Sequence, residues 1–199
     1  MSTLETLDVE QASELKLAFR RTGWNNEEVK RLCEGTILAD IRSVILGQAE
    51  VRMLEHIIDC DPDPFVPNGL TVEEHQKSGL FKWNPAAVQF YLSDSQQQQR
   101  EGKLIYGHKI REELAGKPVL NANVLDYLFA HQYLIPESWK EKTDGCITHV
   151  FFWGTIYRRP GGGGLPVRYL CWDGGRWRWY YNWLGRVWYG YYPAALRAS

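Results

Sequence analysis

The side chains that could do chemistry in this 199-residue chain are scattered. Its five histidines, His56, His75, His108, His131 and His149, form no HExxH pair and no other ligand pair on one helical face. Asp59, Asp61 and Asp63 alternate, with His56 before them and Glu73, Glu74 and His75 after. That spacing matches the front of a calcium loop, but such a loop wants Gly at its sixth position and a carboxylate at its twelfth. Those places hold Pro64 and Leu70, so a carboxylate-rich surface turn is the better reading. A metal-dependent enzyme with a dispersed site around Asp59, Asp61 and His75 is the alternative it leaves. Cys33, Cys60, Cys146 and Cys171 lack CxxC spacing, which argues against zinc and for free, partly buried thiols. No GxSxG occurs, and no Lys-Ser/Thr follows Gly161 to Gly164, which therefore reads as a hairpin loop and not a phosphate cradle. These patterns predict no catalytic residue, no cofactor and no metal.

A binding chemistry is better represented. Trp172, Trp177, Trp179, Trp183 and Trp188 crowd into one run, with Tyr180, Tyr181, Tyr189, Tyr191 and Tyr192 among them. Successive side chains of a strand point to opposite faces, so only some of these rings can be buried. If Trp177, Trp179 and Trp183 fill one side, Arg178, Tyr180 and Asn182 look to the other, towards solvent. Tyr, Trp, Arg, Asn and Gly on an exposed face are the composition of a binding surface. The competing reading is the aromatic core of a small β-domain. Arg158, Arg159, Arg168, Arg176, Arg178 and Arg186 add a third, a platform for single-stranded nucleic acid. Sugar rings or a protein epitope suit the same aromatics.

The elements that must position these residues follow from pattern. The hydrophobic fraction is 44% and the charged fraction 24%, as expected of a globular protein of one large or two small domains. Net charge is -1, so no overall field draws in nucleic acid or acidic membrane. The start lacks a basic segment followed by an apolar run, and no apolar run is long enough for a membrane segment; synthesis as a cytoplasmic protein is expected. Residues 9–34 read as helical, with Asn25 or Asn26 capping a second helix and Gly35 ending it. Another helix precedes Gly47. Residues 50–60 are apolar enough for a strand, and 70–83 read as strand, turn at Ser78-Gly79, strand. Asn84-Pro85 then opens a helix, 93–103 is a polar loop-like insertion, and two helical segments follow. Val124, Leu125, Leu128 and Phe129 make an apolar stripe, with Asn121 or Asn123 as cap. From Ile147 an antiparallel meander is expected, turning at Asp173-Gly174-Gly175. The class is α+β, divided into a helical region with a small sheet at 1–83 and a second domain at 84–199.

The segments VLNANVLDYL, LIPESWK, FFWGTIYR and VRYLCWDGGRWRWYYNWL, with the ending PAALRAS, resemble the variable proteins of diversity-generating retroelements, of the kind found in candidate phyla radiation bacteria. The similarity covers most of the chain and is densest from Val119 onward. In those systems a reverse transcriptase copies a template with errors at adenines, and the copy replaces the 3′ end of the target gene. AAC-type codons then become many codons on a fixed scaffold, usually a C-type-lectin-like fold. The accessible residues include Tyr, Asn, Asp, Gly, Arg and Val but exclude Lys, Glu, Gln, Met and Trp. Between Pro160 and Ser199 the chain has no Lys, Glu, Gln or Met.

The resemblance implies a C-type-lectin-like module at 84–199 that binds a macromolecular ligand, a protein above all, without catalysis. It assigns fixed roles to Trp172, Trp177, Trp179, Trp183, Leu184, Trp188 and Pro193. Varied, ligand-binding roles fall to Asp173, Gly175, Arg176, Arg178, Tyr180, Tyr181, Asn182, Gly185, Arg186, Val187, Tyr189, Tyr191 and Tyr192.

Overall fold

The computed structural model describes residues 8–52, 54–98 and 104–198. The chain divides into two compact units between Leu54 and Glu55. The first holds helices α1 (Val9–Arg21), α2 (Asn26–Leu32) and α3 (Ile37–Ile45). Reciprocal capping boxes start the first two, Asp8 with Gln11 and Asn25 with Glu28. Gly35 and Gly47 follow α2 and α3 with positive φ, the backbone state that stops a helix. No residue of these helices is buried.

The second unit mixes helix and sheet, as α+β predicts. Its strands are β1 (Ile57–Asp59), β2 (Thr71–His75), β3 (Leu80–Lys82), β4 (Val88–Tyr91), β5 (Lys142–Thr143), β6 (Cys146–Ile147), β7 (Val150–Arg158), β8 (Pro166–Asp173), β9 (Arg176–Trp183) and β10 (Ala194–Arg197). Its helices are α4 (Asp94–Gln98), α5 (Gly107–Glu113) and α6 (Ala122–Ala130). The main sheet runs β4-β10-β7-β8-β9, and β2 pairs with β7 as well. β7, β8 and β9 form the expected meander, with eight residue pairs between β8 and β9. β10 returns parallel to β7 and antiparallel to β4, so the sheet's last strand is clamped between two earlier ones.

Alternation along the strands builds two cores. Val150, Phe152, Leu170, Trp177 and Ala195 face one side and pack with Val124, Leu125 and Leu128 of α6 and with Phe81 and Trp83. Phe151, Trp153, Val167, Ala194 and Leu196 face the other and pack with Ile110 and Leu114 and with Leu184 and Trp188. A register shift between Phe151 and Ile156 lets Ile156 rejoin the second core after an odd step, as a bulge does. Each fully buried large side chain contributes roughly 1.5–3 kcal/mol, so both faces of β7 are committed to stability.

Several local expectations are corrected. β2 and β3 do not pair across Ser78-Gly79; β2 joins β7, and β3 joins β1. The segment therefore belongs with the C-terminal unit, which moves the division from 83/84 to 54/55. Among the described residues of the apolar stretch 50–60, Ile57–Asp59 alone is a strand. Asn84 caps a single 3-10 turn, Pro85–Ala87, and the chain then extends into β4 in place of the expected helix, because β10 offers it a ladder. Ser93 and Gln96 cap a helix where a polar loop was expected; the insertion's remainder, 99–103, lies outside the described residues. Between Leu184 and Pro193 the described chain forms turns, with Val187 bridging to Tyr106, before β10 begins.

Candidate ligand-binding face

The hairpin between β8 and β9 sets the geometry of the face. Gly174 and Gly175 both have positive φ, 59° and 76°, the two-residue turn that matches strand twist. The register then places Tyr169 opposite Tyr180 and Cys171 opposite Arg178 on one side of the sheet. Trp177 and Trp179 point to the other side, where Trp177 is 4% exposed and Trp179 packs on the first core. The alternation expected of 176–183 is therefore realised.

From Tyr180 a ladder of rings crosses the sheet. Tyr180 meets Tyr169 at 6.0 Å between centroids. His149 lies nearly parallel to Tyr169 at 4.4 Å and to Tyr192 at 4.7 Å. Tyr191 stands edge-on to Tyr192 at 4.7 Å, and Tyr189 stacks on Tyr191 at 5.2 Å with 4° between planes. Phe151 and Trp188, both fully buried, support the row from beneath. Arg178 flanks it, donating to the Tyr180 hydroxyl at 3.4 Å and standing 3.8 Å from the Asp173 carboxylate.

Gln96 holds one end of the ladder in place. It is 3% exposed, and its Nε2 donates to the carbonyls of Tyr189 and Tyr192 at 3.0 and 2.9 Å. Its Oε1 accepts from the Ser93 amide, closing a capping box. A groove of about 920 Å³ opens beside this end, lined by Phe90, Gln97, Glu141, Cys146, Tyr189 and Tyr191 among others. A shallower depression of about 410 Å³ lies over His149, Tyr169, Cys171, Asp173 and Tyr180.

Burial sets the electrostatics. It pulls His149 down to about 4, so the ring is neutral in the fold at neutral pH, and its buried Nδ1 has no partner among the described residues. Burial also raises the Tyr169 and Tyr192 hydroxyls and pushes the Cys171 thiol up to about 11. The face is thus uncharged along its ladder. That suits stacking and hydrogen bonding and offers no activated nucleophile.

The structure joins some of the sequence-derived site residues and separates others. Asp173, Arg178, Tyr180, Tyr189, Tyr191 and Tyr192 meet on or beside the ladder. Gly175 and Arg176 form the exposed tip of the β8-β9 hairpin, and Asn182 is half-buried opposite Val167. Tyr181 pairs with Arg168 on the alternate positions of the strand. Gly185 and Arg186 form an exposed turn after β9, and Val187 is half-buried. Among the residues given fixed roles, Trp177, Leu184, Trp188 and Pro193 are buried, whereas Trp172, Trp179 and Trp183 are half-buried. Tyr169, His149 and Gln96 were not singled out for the site. The Ser-x-x-Gln of the capping box could have revealed Gln96; nothing local points to the other two.

The carboxylate run is structural. The Asp61 carboxylate accepts from the Gly79 amide at 2.8 Å, and that of Asp59 from the Asp61 amide at 3.0 Å. His75 bonds Thr155 and the Cys60 carbonyl, at 2.8 and 3.1 Å. Glu73 pairs with Arg158, whose hydrogen bonds hold its carboxyl below the ordinary range, and Glu74 pairs with Arg111. Among the described residues, no group of three or more His, Cys, Asp or Glu could hold a metal ion, and no helix is long and apolar enough to cross a membrane. No protein-family model, curated protein or solved structure matches the chain.

Proposed function

We propose that the chain is a non-enzymatic ligand-binding protein whose C-terminal surface is diversified by retroelement mutagenesis, on a C-type-lectin-like module. The observation that carries this reading is the single aromatic ladder from Tyr180 to Tyr189. Four of its six rings, Tyr180, Tyr189, Tyr191 and Tyr192, occupy positions that the resemblance marks as varied. Beneath them lie Trp188 and Phe151, which mutagenesis confined to the varied positions would leave alone. Scaffold and surface alternate along β9, so side chains can change without disturbing the core. Tyr supplies a large contact area with few torsions, which suits a protein ligand. The grooves flanking the ladder give that ligand relief to fit.

The nucleic-acid alternative has less support. Of the six clustered arginines, Arg158 is paired with Glu73 and Arg168 with Asp126. A phosphate-tracking groove needs such charges free.

Randomising Arg178, Tyr180, Tyr189 and Tyr191 together and selecting on unrelated protein targets tests the reading. Folded binders of different specificity are expected. A library in which most members unfold, or in which none binds any target, would overturn it.

A further inference from the structure

β9 ends the main sheet, and among the described residues of its unit no strand pairs with its outer side. Which backbone groups face outward follows from the hairpin. A two-residue turn makes the flanking pair Asp173 and Arg176 a doubly hydrogen-bonded one. Bonded pairs then recur at Arg178, Tyr180 and Asn182, and the Leu184 amide continues the series by donating to Leu165 at 2.8 Å. The residues between them, Trp177, Trp179 and Tyr181, therefore present their N–H and C=O groups to the open edge. The Trp183 carbonyl, next in that series, is already capped by the Arg186 amide and the Trp188 indole. Three donors and three acceptors in a straight row form a template for one more strand.

We infer that this edge takes up an extended segment of a partner protein by strand addition, one that alternates carboxylates with apolar residues. The side chains select that pattern. Arg176 and Arg178 stand on one face of β9, and Asp173 is the sole carboxylate side chain between Pro160 and Ser199. Trp179 and Tyr181 stand on the other face, half-buried and exposed. An added strand with period two sets acids opposite the arginines and apolar groups beside the rings. A second copy of this chain is a poor occupant, because β9 carries no carboxylate to set opposite the arginines. The backbone edge does not depend on the surface being diversified, whereas the preference for acids belongs to Arg176 and Arg178 as they stand in this chain, two positions that the proposed function treats as varied.

The test uses the full chain and three synthetic peptides that alternate Val with Glu, Lys or Thr. Titration followed by amide hydrogen exchange reads the site. The Glu peptide is expected to bind tightest, to lose affinity as salt rises, and to protect the amides of Trp177, Trp179 and Tyr181. N-methylation of the Glu peptide on alternate residues along its pairing edge should weaken binding by about tenfold or more, since each lost amide leaves an acceptor unpaired. Arg178→Glu should move the preference to the Lys peptide. Equal binding of all three peptides, protection elsewhere, binding of none, or self-association through β9 would each overturn the inference. None of these outcomes bears on whether the ladder residues vary.

Discussion

Arg168 reaches from β8 to Asp126 on α6 and makes two hydrogen bonds to its carboxylate, at 2.6 and 3.0 Å, while only 1% exposed. Its guanidinium also lies 4.2 Å from the centroid of Trp179 and 5.2 Å from that of Phe65. The residue is thus a strut between sheet and helix and not part of a basic surface. A buried guanidinium without its partner is costly, whereas Asp126, about one-third exposed, can be hydrated alone. Asp126→Ala should therefore cost about 3 kcal/mol, and Arg168→Met clearly less. Urea unfolding of both variants checks the order.

Core and surface along β9 should separate in the same assay. Trp177→Ala removes a buried ring that packs edge-on against Trp172 at 5.5 Å and should destabilise by about 3–5 kcal/mol. Arg178→Ala, Tyr181→Ser and Tyr189→Ser change side chains that are themselves half-buried or exposed and should stay within about 0.5 kcal/mol of the parent. Equal loss in the two sets would contradict the division into scaffold and surface.

His149 makes stability depend on pH in a defined direction. Burial sets its folded value to about 4, against about 6.5 in an unfolded chain. Between those values the unfolded chain binds a proton that the fold does not. Stability is therefore unaffected by this group above pH about 6.5 and falls as pH drops towards 4, by up to about 3 kcal/mol. His149→Phe keeps a ring between Tyr169 and Tyr192 and removes the titration. Thermal melts across that range should show a flatter profile for the variant.

Gly154 lies where β7 meets the start of α6. A Cβ there would come within 2.8–2.9 Å of Asn121, including its backbone N and Cα, which cannot swing aside. Gly154→Ala should destabilise by about 1–3 kcal/mol through overpacking. Gly162→Ala, with nothing nearby, serves as the neutral comparison in the same unfolding assay.

What was legible in the sequence was local. The hairpin at Asp173-Gly174-Gly175, the alternation of Trp177 and Arg178 and the stripe of α6 follow from period and turn chemistry and are present, and of the paired cap candidates the fold uses Asn25 and Asn121. What was not legible depends on distant partners. β2 and β3 flank a turn signal, yet each finds a better ladder elsewhere, on β7 and β1. Val88–Tyr91 looked helical after its Pro but is held extended by β10, more than a hundred residues later in the chain. The ladder itself joins His149, Tyr169 and Tyr192 from three segments, and no spacing rule links them.

We propose that the C-terminal face is rewritten while its scaffold stays fixed. Sequencing the DNA downstream of the gene tests it most directly. The account predicts a near-copy of the 3′ end, differing only where that copy has adenine, with mismatches at the codons for Arg178, Tyr180, Tyr189 and Tyr191 and none at those for Trp177 and Trp188. A downstream region without such a copy, or one whose mismatches fall on the buried tryptophans, would contradict it.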